Sequence, residues 1–126
     1  VLFGLQIIAL DRSGDTLLRF TDQYKRPHYL ETEGDCCSET WFSGITGVVN
    51  LLGATVRGII FHVEKEQDGT RQEEDILYGF TLVTERGHCD IEFRNSSNGY
   101  YGGSCSIIAE GEPDGSVECR PITEDF

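Results

Sequence analysis

The pair Asn98-Gly99 constrains this chain more than any other feature. A two-residue reversal between strands needs positive φ at both central positions, and Asn followed by Gly tolerates it best. A tight turn there would set the register of the flanking strands. Ser97 would face Tyr100, Asn95 would face Gly102, and Phe93 would face Ser104. On the opposite face Ser96 would meet Tyr101, Arg94 would meet Gly103, and Glu92 would meet Cys105. Tyr100 and Tyr101 then point to opposite faces, with a gap beside them at Gly102 and Gly103. Cys89, Ile91 and Phe93 share the face of Tyr100, which leaves Tyr101 as the ring free for contact. A turn alone has no need of two tyrosines and two glycines, so the block reads as a built surface.

Short apolar runs between turn residues repeat along the rest of the chain. Residues 3–10, 16–20 and 28–31 read as a meander, with Pro27 suggesting an edge for the third strand. Ile45, Val48, Val49 and Leu52 recur at helical spacing, so 45–52 reads as one short helix, with Ser43 as its cap and Gly53 at its end. Residues 55–63 carry apolar side chains on both faces: Ile59, Phe61 and Val63 on one, Val56, Ile60 and His62 on the other. That pattern predicts a central strand. Residues 76–84 and 88–94 alternate, with His88 outward and Cys89 inward, and 104–109 returns after the Asn-Gly turn. Beyond Gly111 apolar content falls away and Pro113, Gly115 and Pro121 interrupt it, which predicts a loosely held tail.

The 126 residues fit one domain and carry a net charge of −12. Segments 31–39, 64–75 and 110–126 carry −4, −4 and −5, so the remainder is +1. Without a basic patch, direct nucleic-acid binding is disfavoured, and the acidity reads first as a solvated surface. No apolar run approaches the ~20 residues of a membrane helix. Residues 1–10 lack a basic start and a cleavage site, so they read as a strand rather than a signal peptide. With no initiator Met, the start is expected further upstream. Five cysteines, two of them adjacent, point to a reduced intracellular protein rather than a disulfide framework. The sequon at Asn95 is then a chance match.

Catalytic signatures are missing. No phosphate loop, dinucleotide fingerprint or nucleophile elbow occurs, and no local pattern joins a His to a Cys. Cys36, Cys37, His88 and Cys89 are the candidate metal or thiol residues, yet adjacent strand residues face opposite ways and each pair offers one ligand at most. A site from Cys37, Cys89, Cys105 and His62 is conceivable, but buried thiols and a core histidine are the better reading.

Two blocks occur together: Gly34-Asp35-Cys36-Cys37-Ser38-Glu39-Thr40-Trp41-Phe42, and Arg94-Asn95-Ser96-Ser97-Asn98-Gly99-Tyr100-Tyr101-Gly102-Gly103. In this pair the chain resembles a family of small uncharacterised phage and bacterial domains, over 1–108. The resemblance implies a phage or prophage context, in host cytoplasm or virion, and carries no catalytic residue.

These readings predict an α+β domain, mostly antiparallel sheet with one short helix, all-β being the alternative. Residues 1–109 form the globular part and 110–126 the acidic tail. The core is expected from Leu5, Ile7, Leu18, Trp41, Val49, Leu52, Ile59, Phe61, Phe80, Leu82, Ile91 and Phe93. The expected function is non-enzymatic: an accessory or host-interaction factor that binds a phage or host protein, without cofactor or membrane. Its contact residues would be Asn98, Tyr100, Tyr101, Gly102 and Gly103, with Asp68, Glu73 and Glu74 of the acidic loop. A virion decoration or connector subunit is the alternative, as a homo-oligomer paired through 1–10 or the tail. A small metal- or thiol-dependent protein is the third.

Overall fold

Period-two alternation between Gly- and Asp-rich turns builds strands, and here nearly all of it does. The computed structural model describes residues 2–34, 38–68, 71–72, 74–97, 103–108 and 118–126, with 33–34, 64–68, 74 and 103–108 described by backbone alone. The strands are β1 (Gln6–Ser13), β2 (Leu17–Asp22), β3 (Pro27–Gly34), β4 (Glu39–Thr46), β5 (Ala54–Asp68), β6 (Glu74–Thr84), β7 (Gly87–Ser97), β8 (Gly103–Ile108) and β9 (Arg120–Pro121). One helix, α1 (Val48–Leu51), sits between β4 and β5. All pairings are antiparallel, in the order β4-β7-β6-β5-β1-β2-β3-β8, with β9 added to β1.

The sheet curls until its β4 end meets its other half. The Thr32 hydroxyl of β3 donates to the Thr40 carbonyl of β4 at 3.0 Å, and the Phe42 N–H donates to the Asp15 carbonyl at 2.6 Å. Ile7, Leu10, Leu18 and Phe20 from one half face Phe42, Ile45, Leu82 and Ile91 from the other across a continuous core. The chain is thus mostly antiparallel sheet, and a helix of four residues fits an all-β description at least as well as α+β.

Several expectations are corrected. The Asn98-Gly99 hairpin does not form a ladder: β7 pairs with β4 and β6, while β8 pairs with β3. Phe93 therefore lies opposite Phe42 and Tyr78 rather than Ser104. The helix is half the expected length, because Ile45 belongs to β4 and the chain breaks at Gly47, whose φ is +91°. A Cβ at Gly47 would strike the His88 carbonyl, so glycine is required there. Gly47, not Ser43, is the N-cap residue, and Val49 faces solvent. β3 is interior, between β2 and β8, and Pro27 fits because it is the strand's first residue.

The end of the tail is docked rather than loose. Arg120 and Pro121 pair with Arg12 and Asp11, Ile122 is buried in the core, and Phe126 and Ile45 exchange both backbone hydrogen bonds at 3.0 Å. The end of the tail thereby pairs with β1 through Arg120–Ile122 and with the outer edge of β4 at Ile45 through Phe126. The earlier part of the tail, 109–117, lies outside the described residues.

Candidate functional site

The two sequence blocks meet as neighbouring strands. β4 begins in the first and β7 ends in the second, with Glu39 opposite Ser96, Thr40 opposite Asn95, and Trp41 opposite Arg94. Polar side chains are unusually buried here: Thr32, Thr40, Asp75, Asn95, Ser96 and Ser97. Asn95 Nδ2 donates to Thr40 Oγ1 at 2.9 Å, and Asn95 Oδ1 is buried without a hydrogen-bond partner. The Asp75 carboxylate, fully enclosed, receives Arg94 at 3.3 Å. Arg94 Nε also reaches Glu92 at 3.2 Å, and Glu92 in turn accepts from Ser43 at 2.7 Å.

A cation fastens part of the acidic loop to this end. The Arg71 guanidinium lies 3.8 Å over the Trp41 ring and pairs with Asp15 at 2.8 Å. The backbone N–H groups of Arg71 and Gln72 both donate to Ser96 Oγ, at 3.3 and 2.7 Å. Stacking on an aromatic face adds to ion pairs that would contribute little by themselves at such exposed positions.

The second distinctive surface is β5. It pairs with β6 along its length but with β1 only at Ala54 and Thr55. Beyond Val56 its other edge has no strand partner among the described residues. Bulges between Val56 and Gly58 and between Val63 and Glu66 bound a regular stretch, 58–63. Ile59, Ile60, Phe61 and Val63 in that stretch are 44%, 56%, 62% and 60% exposed. Ile59 and Phe61 are thus not core, and the strand is central only at its start. The cause is visible along one row of the sheet. Ile45, Ile91, Phe80 and Phe61 are cross-strand neighbours, with exposures of 0%, 1%, 6% and 62%. The apolar face that forms the core continues past its cover and emerges at β5.

On the opposite face of β5, His62 lies over Gly79, where a Cβ would collide with the imidazole. The ring is half-buried at the rim of a cleft of about 510 Å³ that also takes in Ser43, Asp90, Glu92 and Phe126. Asp90 accepts from the Thr81 hydroxyl. Both carboxylates are therefore engaged by neighbours. A second cleft of about 790 Å³ lies between Arg12, Asp15, Glu118, Cys119 and Arg120.

Of the candidate metal residues, the two described ones, His88 and Cys89, do not share a face. His88 is exposed and Cys89 is buried, on opposite faces of β7. Burial, then the nearby Asp125 and Asp90 carboxylates, pushes the Cys89 thiol up to about 12. No group of three metal-ligating side chains occurs among the described residues. Cys36, Cys37, Glu73, Asn98, Tyr100, Tyr101 and Gly102 lie outside those residues, and Asp68, Glu74 and Gly103 are placed by backbone only, in β5, β6 and β8. The sequence reading passed over Arg71, Asp125 and the exposed face of β5. The apolar alternation of 58–63 was visible, but not that its cover ends there.

Comparison with known proteins gives a family and no activity. A domain of unknown function, DUF7448, matches residues 3–107, and the chain belongs to this family. It is similar to an uncharacterised protein, L278, of Acanthamoeba polyphaga mimivirus, with 33% identity over 92 residues, 69% of this chain and 70% of that protein. No solved structure matches. No helix among the described residues is long and apolar enough to cross a membrane.

Proposed function

We propose that this chain is a viral accessory protein that acts by binding another protein, and that the open edge of β5 is its binding surface. The observation that carries this reading is the exposure of Ile59, Ile60, Phe61 and Val63 on one regular strand, paired with β6, whose far edge has no strand partner among the described residues. Folded chains ordinarily shorten, charge or cover such an edge, because its free N–H and C=O groups recruit further strands. An incoming extended segment would gain main-chain hydrogen bonds and pack alternate side chains on Phe61 and its neighbours. A thiol nucleophile is disfavoured at Cys89 by its depth and its raised pKa. The mimivirus relative supports the viral setting; a phage host and a place in cytoplasm or virion are part of the proposal.

A virion structural subunit is the second reading, and the same edge favours it, since assembly also proceeds through open strands. The segments first expected to join subunits are used within the chain: β1 pairs with β2 and β5, and the end of the tail pairs with β1 and β4.

Affinity capture from cells producing the virus tests the first reading. Wild type should retain specific partners that Ile60→Lys loses. Tyr100→Ala with Tyr101→Ala serves as the rival-surface variant. Partners lost by the tyrosine variant and kept by Ile60→Lys would move the binding surface to the 98–103 block.

A further inference from the structure

We infer that the segment seated on the open edge of β5 is β5 of a second copy of this chain, paired antiparallel about a two-fold axis through Phe61. This rests on the protein-binding reading above and names its partner. The regular stretch 58–63 pairs one-for-one with Val83 through Tyr78 of β6, so its far side presents an undistorted edge. An antiparallel pair related by a two-fold axis is closed: each copy uses the same β5 edge, and that contact stops at two.

The register follows from geometry and chemistry. A two-fold axis perpendicular to the sheet keeps each side chain on its own face, so a residue can oppose only residues an even number of positions away. With Phe61 opposite Phe61 of the copy, Ile59 opposes Val63, so all three apolar positions on that face meet apolar partners. On the other face Ile60 opposes His62, and Gly58, which has no side chain, opposes Glu64. Sliding by one step toward the start sets Arg57 against Val63, and sliding the other way sets Ile59 against Lys65. Either slip places a charge against the apolar row.

Charge placement agrees. The segments 31–39, 64–75 and 110–126 together carry −13 against +1 elsewhere, and the stretch 58–63 contains no Asp, Glu, Lys or Arg. The same count sets Arg57 opposite Lys65, a like-charge pair that falls outside 58–63, at the bulges on either side of the regular stretch. Phe61, which stands 62% exposed at the end of a buried row, gains an aromatic neighbour across the axis.

Sedimentation equilibrium of the full chain, with cysteine cross-linking, tests this. Wild type should pass from its 14.1 kDa monomer to twice that mass as concentration rises, and Phe61→Lys should remain monomeric. Phe61→Cys, at an exposed position, should cross-link to its own copy under mild oxidation or with a short bis-maleimide, mapped by mass spectrometry as 61 to 61. Directly opposite Cβ atoms lie about 5 Å apart in such a pair. Under oxidation, without the maleimide, Ile60→Cys should not form a disulfide with its own copy, while Ile60→Cys with His62→Cys should link 60 to 62. A chain that is monomeric at all concentrations overturns the inference, as does open-ended aggregation or a dimer cross-linked elsewhere. Capture that still depends on 58–63 in a monomeric chain leaves the protein-binding reading standing and removes the second copy. A dimer in this register that captures nothing else does the reverse.

Discussion

Asp125 reaches back 77 residues to cap the helix at Val48, its Oδ1 accepting that residue's N–H at 2.9 Å and the Gly47 N–H at 3.0 Å. Gly47 offers no side chain of its own for the task. A carboxylate 77 residues downstream therefore satisfies donors that a local Ser or Asp would ordinarily satisfy.

The two donors hold the Asp125 carboxyl below the ordinary carboxylate range, against a smaller opposing effect of burial. A depressed folded-state pKa stabilises the fold above the unfolded value of about 4, and that contribution disappears as pH falls through the folded value. Asp125→Ala should lower the thermal midpoint at pH 7, and its deficit should close as the pH falls below about 4 and through the lowered folded-state value. Thermal unfolding of both proteins across pH checks this. A deficit that persists unchanged in acid would show that the ionised cap is not its source.

Arg94 and Asp75 form an ion pair in the sheet whose carboxylate is fully enclosed and whose guanidinium is about a quarter exposed. Removing Arg94 takes away the cation that faces this enclosed carboxylate. Arg94→Ala should destabilise by about 2–3 kcal/mol in chemical denaturation, and adding Asp75→Asn should recover part of the loss. A double variant no better than the sum of the single ones would place the energy elsewhere.

Cys89 should be inert. With its thiol pushed up to about 12, only about one in ten thousand molecules carries the thiolate at pH 8. Alkylation mapped by mass spectrometry should label the half-buried Cys119 in the native protein and Cys89 only after unfolding. Rapid native labelling of Cys89 would revive a thiol role.

Strands and short hairpins were legible because their signals are local. Asp and Gly between β1 and β2, and Arg86-Gly87 between β6 and β7, turn the chain where period-two alternation resumes. The failures were all decided by distant partners. Asn98-Gly99 is a strong turn signal, yet β7 is already flanked on both sides by β4 and β6, and β8 is taken by β3. The spacing of Ile45, Val48, Val49 and Leu52 fits a helical face as well as the end of a strand followed by one turn. Apolar residues on both faces of β5 resemble a central strand, and nothing in 58–63 reports that β1 departs after Thr55. The tail's docking rests on Ile122, Asp125 and Phe126, too few residues to form a pattern.

Under the proposed function, the edge of β5 that no described strand covers is where this protein is recognised. Amide hydrogen exchange measures that edge directly, comparing the dilute chain with its assembled form, whether assembled with a captured partner or with itself. Alternate amides within 58–63 should exchange quickly in the dilute chain and become protected on assembly, while β7, paired on both sides, stays unchanged. Unaltered exchange in 58–63, with new protection confined to another surface, would contradict it.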